Sequence, residues 1–308
     1  MIVIVESPSQ KPPYKLQAGV ALLQVLLISA IISLLAVRFT YTAQDQIEMA
    51  SQIDKRVKLQ LKAKSVLNEV VFSELSTSIK IRGNGEALVY MPPKSGLNRY
   101  GAPIGWGDGV SVEIQDLNGL LPQIFVGHSL WEPVLRGLLL NSDSIVRYIG
   151  TWSDMQDKDI NSWDGAGVEP PVLGNGGLFI NDYAQNSKVL EWVFSDQPEA
   201  LNVLLDISDV NAPYETSLVN SPKSLLSILL EPEMADAFAE SRQSGAYTPQ
   251  ELMSFLPDRY MSANVSPYKS NEIKITVKVD SSTGGWLETQ IISLTASSKP
   301  PFKVIVKH

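Results

Sequence analysis

Val20 to Val37 reads VALLQVLLISAIISLLAV, an uncharged apolar run of about eighteen residues, just long enough to cross the hydrocarbon of a bilayer. Beyond it the apolar positions keep a helical step: Ile47, Ala50, Ile53, Val57, Leu61, Lys64, Leu67, Val71 and Leu75 recur every three or four residues, the lysine contributing its stem. No glycine or proline interrupts Val20 to Arg82, and the first breaker is Arg82-Gly83-Asn84-Gly85. The pattern predicts one helix of about 60 residues, roughly 90 Å long, apolar all round in its first half and amphipathic in its second. The run exceeds the apolar core of a signal peptide, and Ser33 to Arg38 offers no small-x-small cleavage site. Lys11 and Lys15 against Glu6 before the run, with Arg38, Asp45 and Glu48 mixed after it, favour a cytoplasmic amino terminus and residues 38–308 outside the cytoplasm.

The pattern then changes. Gly83 to Gly109 is rich in glycine and proline, which excludes regular helix. Val110 to Glu113 and Ile124 to Val126 read as short strands joined through Asp116-Leu117-Asn118-Gly119, whose Asn-Gly pair favours a tight turn. Leu130 to Leu140, Ser142 to Met155, Lys188 to Phe194, Ser221 to Leu230, Glu233 to Gln243 and Pro249 to Leu256 read as short helices. Strict alternation returns at Ile273, Ile275, Val277 and Val279; Ser281 to Gly285 is a loop, Trp286 to Thr295 the return strand, and Phe302 to Val306 one more. The order predicts an α+β fold: a long helix packed on a small antiparallel sheet whose strands are interrupted by a large α-rich insertion. The expected division is 20–37 membrane half of the helix, 38–82 its outer half, 83–128 first strands, 129–260 inserted α-rich domain and 261–308 final strands.

Composition narrows the chemistry. The 25 basic and 33 acidic side chains give a net charge of −8 without any cationic run, so binding to a nucleic-acid backbone is not expected. With no cysteine and two histidines, His128 and His308, neither disulfides, a thiol nucleophile nor a Cys/His zinc site can be built. A Ser-His-Asp arrangement would have to use His128, for which a packing role is the simpler reading. Gly105-Trp106-Gly107-Asp108-Gly109 and Gly174-Asn175-Gly176-Gly177 lack the P-loop lysine and the strand-to-helix setting of a phosphate loop, and read as plain loops. The acidic residues permit a paired-carboxylate hydrolase, but sequence spacing does not give their separation.

Ala18-Gly19-Val20-Ala21-Leu22-Leu23, a glycine between a short basic leader and the apolar run, resembles a type IV prepilin processing site. The resemblance implies that residues 1–19 form a leader removed between Gly19 and Val20 by a prepilin peptidase, and that the new amino terminus is methylated. The family usually carries glutamate at the fifth mature position; here it is Gln24, a departure that resembles the K-type minor pseudopilin of type II secretion. A charge in lipid is expensive unless a partner neutralises it, so a tip subunit has less use for it. Four segments extend the likeness over nearly the whole chain: Asp116-Leu117-Asn118-Gly119, Tyr148-Ile149-Gly150-Thr151-Trp152-Ser153-Asp154, Leu218-Val219-Asn220-Ser221-Pro222 and Ser241-Arg242-Gln243-Ser244-Gly245-Ala246-Tyr247-Thr248-Pro249-Gln250-Glu251-Leu252. Leu120 and Thr151 depart from it, standing where the family often has arginine and aspartate.

The resemblance implies a non-enzymatic subunit anchored in the bacterial inner membrane with its ectodomain in the periplasm. It would cap the pseudopilus with I- and J-type minor pseudopilins and support protein export. A minor pilin of a type IV pilus or competence system shares the same junction and helix, and a membrane-tethered periplasmic enzyme is the alternative of a different class. Asp154, Asp157, Asp159, Asp164 and Glu169 lie close together with turn residues, enough oxygen for a calcium ion and equally the composition of a solvated acidic loop. The resemblance implies calcium at these five residues.

Overall fold

The computed structural model describes residues 17–80 and 97–307, apart from 139, 164–167, 172–175, 177, 246, 261–264, 283 and 296–298. Residues 1–16 of the expected leader, the stretch 81–96, Asp164 and His308 therefore lie outside the described residues.

Helix α1 runs without a break over Gln17–Lys80, as the absence of breakers requires. It contains a segment long and apolar enough to cross a membrane, with every described side chain of the apolar run exposed. Within that run the hydroxyls of Ser29 and Ser33 donate back to the carbonyls of Leu26 and Ser29 at 2.9 and 2.8 Å, so these polar groups need no water. Met1–Lys58 and Leu59–His308 form two compact units. In the first, Ile47, Ile53 and Val57 are exposed. In the second, Ala63, Val66, Leu67, Val70 and Val71 form the buried stripe of α1.

That stripe packs on a five-stranded antiparallel sheet of order β1-β2-β5-β6-β7: Ile104–Gly107, Val110–Asp116, Glu272–Ser281, Gly284–Leu294 and Phe302–Lys307. Val110, Val112 and Ile114 pair across from Val279, Val277 and Ile275, so the period-two pattern of both strands faces the helix. Between β2 and β5, which are neighbours in the sheet, the chain leaves to build a second body. It holds α2 (Trp131–Gly137), α3 (Ser142–Asp154), α4 (Lys188–Val193), α5 (Pro198–Ile207), α6 (Lys223–Leu229), α7 (Pro232–Ser244) and α8 (Pro249–Met253). Trp131, Trp152 and Phe194 centre its core, with ring centroids 4.7 and 6.2 Å apart in edge-to-face contacts. The α+β architecture is thus as the sequence predicts.

The connections differ in several places. Asp116 to Gly119 is no hairpin: Leu117–Gly119 forms a single 3₁₀ turn capped by the Asp116 carboxylate on the Asn118 N–H at 3.0 Å, and β2 pairs with the distant β5. A Cβ at Gly119 would sit 2.1 Å from the Asn220 carbonyl oxygen, so the glycine serves close approach between segments. Ile124 to Val126 is turn, and the strand there is the short β3 (Leu121–Pro122), which pairs in parallel with β4 (Ser208–Asp209). The loop expected at Gly105 to Gly109 contains three of the four residues of β1 and its hairpin turn, where Gly107, Asp108 and Gly109 all take positive φ. Helix α5 has no counterpart among the expected helices.

Two guanidinium groups join the parts of the second unit. Arg99 is buried between Glu74 of α1 and Asp116 at the end of β2, bonding the first through Nε and Nη2 and lying 3.5 Å from the second. Asp116 also accepts from the Ser270 hydroxyl at 2.7 Å and from its N–H. Burial pushes the Asp116 carboxyl upward, while Arg99 and these donors pull it down. Arg242 of α7 lies 3.7 Å from the Tyr100 ring centroid and donates to the Ser221 and Val219 carbonyls.

Candidate functional site

Gly19 and Val20 fall in the first turn of α1, and Gln24 follows one turn later with its side chain exposed among apolar neighbours. Nothing in the described residues competes for this surface.

The acidic stretch is built around the end of α3. Asn141 caps that helix by accepting from the Ser144 N–H at 2.8 Å, and α3 delivers Asp154 at its last turn with Asp157 one turn beyond. The chain then doubles back: the Glu169 N–H donates to the Ile160 carbonyl at 2.9 Å, and Asn161 and Val168 form an antiparallel bridge. This closure returns Glu169 to the helix end, so that Asp154, Asp157 and Glu169 each place a carboxylate oxygen within 4.8 Å of the others.

The five predicted ligands therefore separate. Asp154 and Glu169 are buried and Asp157 half-buried. Asp159 is exposed, its Oδ1 accepting from the Asn161 N–H at 2.7 Å, and Asp164 is outside the described residues. Asp154 accepts from the Trp163 N–H at 2.9 Å, and Glu169 Oε2 from the Asn181 amide at 3.1 Å. Asp157 Oδ1, Glu169 Oε1 and the neighbouring Gln156 Oε1 are buried acceptors with no hydrogen-bond partner among the described residues. Burial first, then the Asp159 charge, raises the Asp157 carboxyl above the usual range. Burial likewise raises Glu169, with Asp157, Asp154 and Asp159 adding to the rise and the Asn181 bond opposing it. Three carboxylates this close repel one another when ionised, a repulsion that a hard cation relieves. The arrangement fits calcium, which takes the rest of its six to eight oxygens from carbonyls, a second carboxylate oxygen or water.

Sequence reasoning missed Asn181, which takes a positive φ of 45° and ties Glu169 to the Asp159 carbonyl. An asparagine in a turn-rich segment was its only signal. His128 is buried, its Nδ1 accepting from the Leu130 N–H and its Nε2 3.2 Å from the Thr216 hydroxyl, with the Tyr214 ring beside it. These contacts hold the 122–130 loop against the segment after β4, in keeping with a packing role.

No protein-family model and no curated protein sequence matches this chain. Among solved structures it is similar to a chain of the GspK-GspI-GspJ complex from the enterotoxigenic Escherichia coli Type 2 Secretion System. The likeness covers 82% of this chain and 98% of that chain, at 11% sequence identity and a TM-score of 0.52. The fold is thereby shared: a long amino-terminal helix, an antiparallel sheet and added helices.

Proposed function

We propose that this protein is a K-type minor pseudopilin of a bacterial type II secretion system, which caps the pseudopilus tip and supports protein export across the outer membrane. The observation that carries the reading is a fold likeness spanning 98% of a chain in a GspK-GspI-GspJ complex, in a protein whose Gly19-Val20 junction opens an unbroken helix. It acts by assembly rather than by turnover.

In this reading a prepilin peptidase cleaves after Gly19, the Val20 amino terminus is methylated, and the segment through Val37 holds the subunit in the inner membrane. Gln24 brings no charge into lipid and so needs no neutralising partner there. The exposed apolar positions Ile47, Ile53 and Val57 form the seam for the helices of I- and J-type subunits. The α-rich body sits in the periplasm, where no further subunit stacks above it. Calcium at Asp154, Asp157 and Glu169 would hold the loop closed on α3, supplying the positive charge that these carboxylates lack.

The mass and amino-terminal sequence of the mature protein, made with and without a prepilin peptidase and compared with Gly19→Ala, test the class. A methylated terminus at Val20 that disappears in the variant supports the reading, and an uncleaved wild-type chain overturns it. Copurification with I- and J-type subunits separates a secretion role from a minor pilin, which would be captured with pilus subunits instead.

A further inference from the structure

Both ring nitrogens of His128 are engaged, by partners of opposite demand. Nδ1 accepts from the Leu130 N–H at 3.3 Å and therefore carries a lone pair. The neutral ring then holds its proton on Nε2, which stands 3.2 Å from the Thr216 hydroxyl oxygen and donates to it. His128 is 2% exposed and Thr216 is buried, so bulk water does not stand in for either partner.

The ring joins two segments that are each held by their own surroundings. The backbone of His128 is turned into its loop: its N–H donates to the Phe125 carbonyl and its carbonyl accepts from the Trp131 N–H, both at 3.0 Å. It is the side chain that reaches across. Thr216, on the far side, sits at a junction. Its carbonyl accepts from the Ser266 N–H at 2.9 Å, it forms a parallel bridge with Val265, and the Ser217 N–H donates to the Asn118 carbonyl at 2.6 Å. The Tyr214 ring lies 5.8 Å from the imidazole and 5.1 Å from the Phe125 ring, both edge to face.

A second proton can bind only at Nδ1. There it would meet the Leu130 N–H, donor against donor, and the bond that holds the ring would be lost. The charged residues of the surrounding elements are few. Residues 122–130 hold none, nor do Val265 and Ser266; Glu132 of α2 is engaged by Arg136 at 2.6 Å, and Glu215, beside Thr216, is exposed. Tyr214, the titratable ring in contact, brings an uncharged phenol. An opened loop takes up the proton at the ordinary histidine value, about 6.5, whereas the closed loop excludes it. The contact is therefore fully formed above that value and loses its hold as pH falls through it.

We propose that His128 is an acid-sensitive latch: proton uptake at Nδ1 releases residues 124–129 from Thr216 and bares Phe125 and Val126, which are half-buried in the closed loop. This stands on the geometry of the loop and is independent of whether the chain is a pseudopilin.

Hydrogen–deuterium exchange of the full chain in detergent micelles, read on peptides covering 122–130 from about pH 7.5 to about pH 5, tests it. After correction for the intrinsic exchange rate, protection should fall about tenfold per pH unit below about 6.5, one proton being taken up per opening. His128→Asn keeps an acceptor where Nδ1 stands and does not titrate, so its protection should stay flat over the same range. NMR of the chain labelled at histidine, with His308→Gln to assign the signal, should show the Nε2–H form at neutral pH. That spectrum decides the matter even if His128→Asn fails to fold, since a ring that takes up its proton while 122–130 stays protected sinks the latch. An Nδ1–H form, flat protection in the wild type, an equal fall in His128→Asn, or a fall abolished by Glu215→Gln would each overturn the proposal.

Discussion

Two buried groups of carboxylates stand in this molecule, and they are built on opposite principles. Glu74 and Asp116 enclose their own cation, Arg99, and Asp116 is further surrounded by donors from Ser270 and Asn118. Asp154, Asp157 and Glu169 enclose none among the described residues, where two of their oxygens have no hydrogen-bond partner. The first group is complete within the chain and joins α1, β2 and the approach to β5. The second holds no counter-charge among the described residues. Burial of charge alone thus marks neither function nor structure; what matters is whether the chain brings the counter-charge.

The contrast can be broken hardest at Arg99. Arg99→Leu removes the guanidinium that bonds both buried carboxylates and leaves Lys269 as the cation near them, and should cost about 3 kcal/mol, read as a fall in urea midpoint with little change in slope. If the fall is under about 1 kcal/mol, the closed cluster is not the junction described above. Calcium should act next most strongly, and only on the open cluster. At a hundredfold excess over its Kd it should stabilise the folded chain by about 2.7 kcal/mol, seen as a rise in Tm that EDTA reverses and Arg99→Leu retains.

Acidification sharpens the difference further. Because Asp157 and Glu169 titrate above their usual values when folded, the ion-free chain holds protons there more tightly than the unfolded chain. Their contribution to stability is therefore present at low pH and lost as pH rises through the raised values. Calcium needs the ionised forms, so its Tm increment should grow as pH rises through the raised values; an increment that does not change with pH would place the ion elsewhere. The smallest effect belongs to Asp157→Asn without calcium. Removing one of three crowded charges should raise stability by about 0.5 kcal/mol while abolishing the calcium increment.

The sheet and the long helix were legible because each repeats one period over many residues. Ile273 to Val279 alternates strictly, and no breaker interrupts α1. Strand β1 was hidden by Gly105 and Gly107, whose composition signals a loop although the backbone there still pairs with β2. Helix α5 was missed although Pro198 stands at its first position, because its ten residues are short for a periodicity to show. The hairpin expected at Asn118-Gly119 failed for a different reason: local turn chemistry says nothing of a strand arriving from Ile273. Of the five acidic residues singled out in the sequence, Asp154, Asp157 and Glu169 are brought together in space, through an Asn161–Val168 bridge that no spacing rule foretells.

The position of the α-rich body between β2 and β5 also sets an order of events at the ribosome. When β2 emerges, its partner β5 has not been made, and the pairings within reach among the described residues are the hairpin with β1 and the Tyr100–Gln115 bridge. The helical body, whose contacts join α2 to α3 and α6 to α7, can gather first. Only when β5 arrives can Asp116 meet Ile273 and the stripe of α1 find its complete floor. A nascent chain of this protein therefore shows the bare edge of β2 until Glu272–Ser281 is made, about half the chain later.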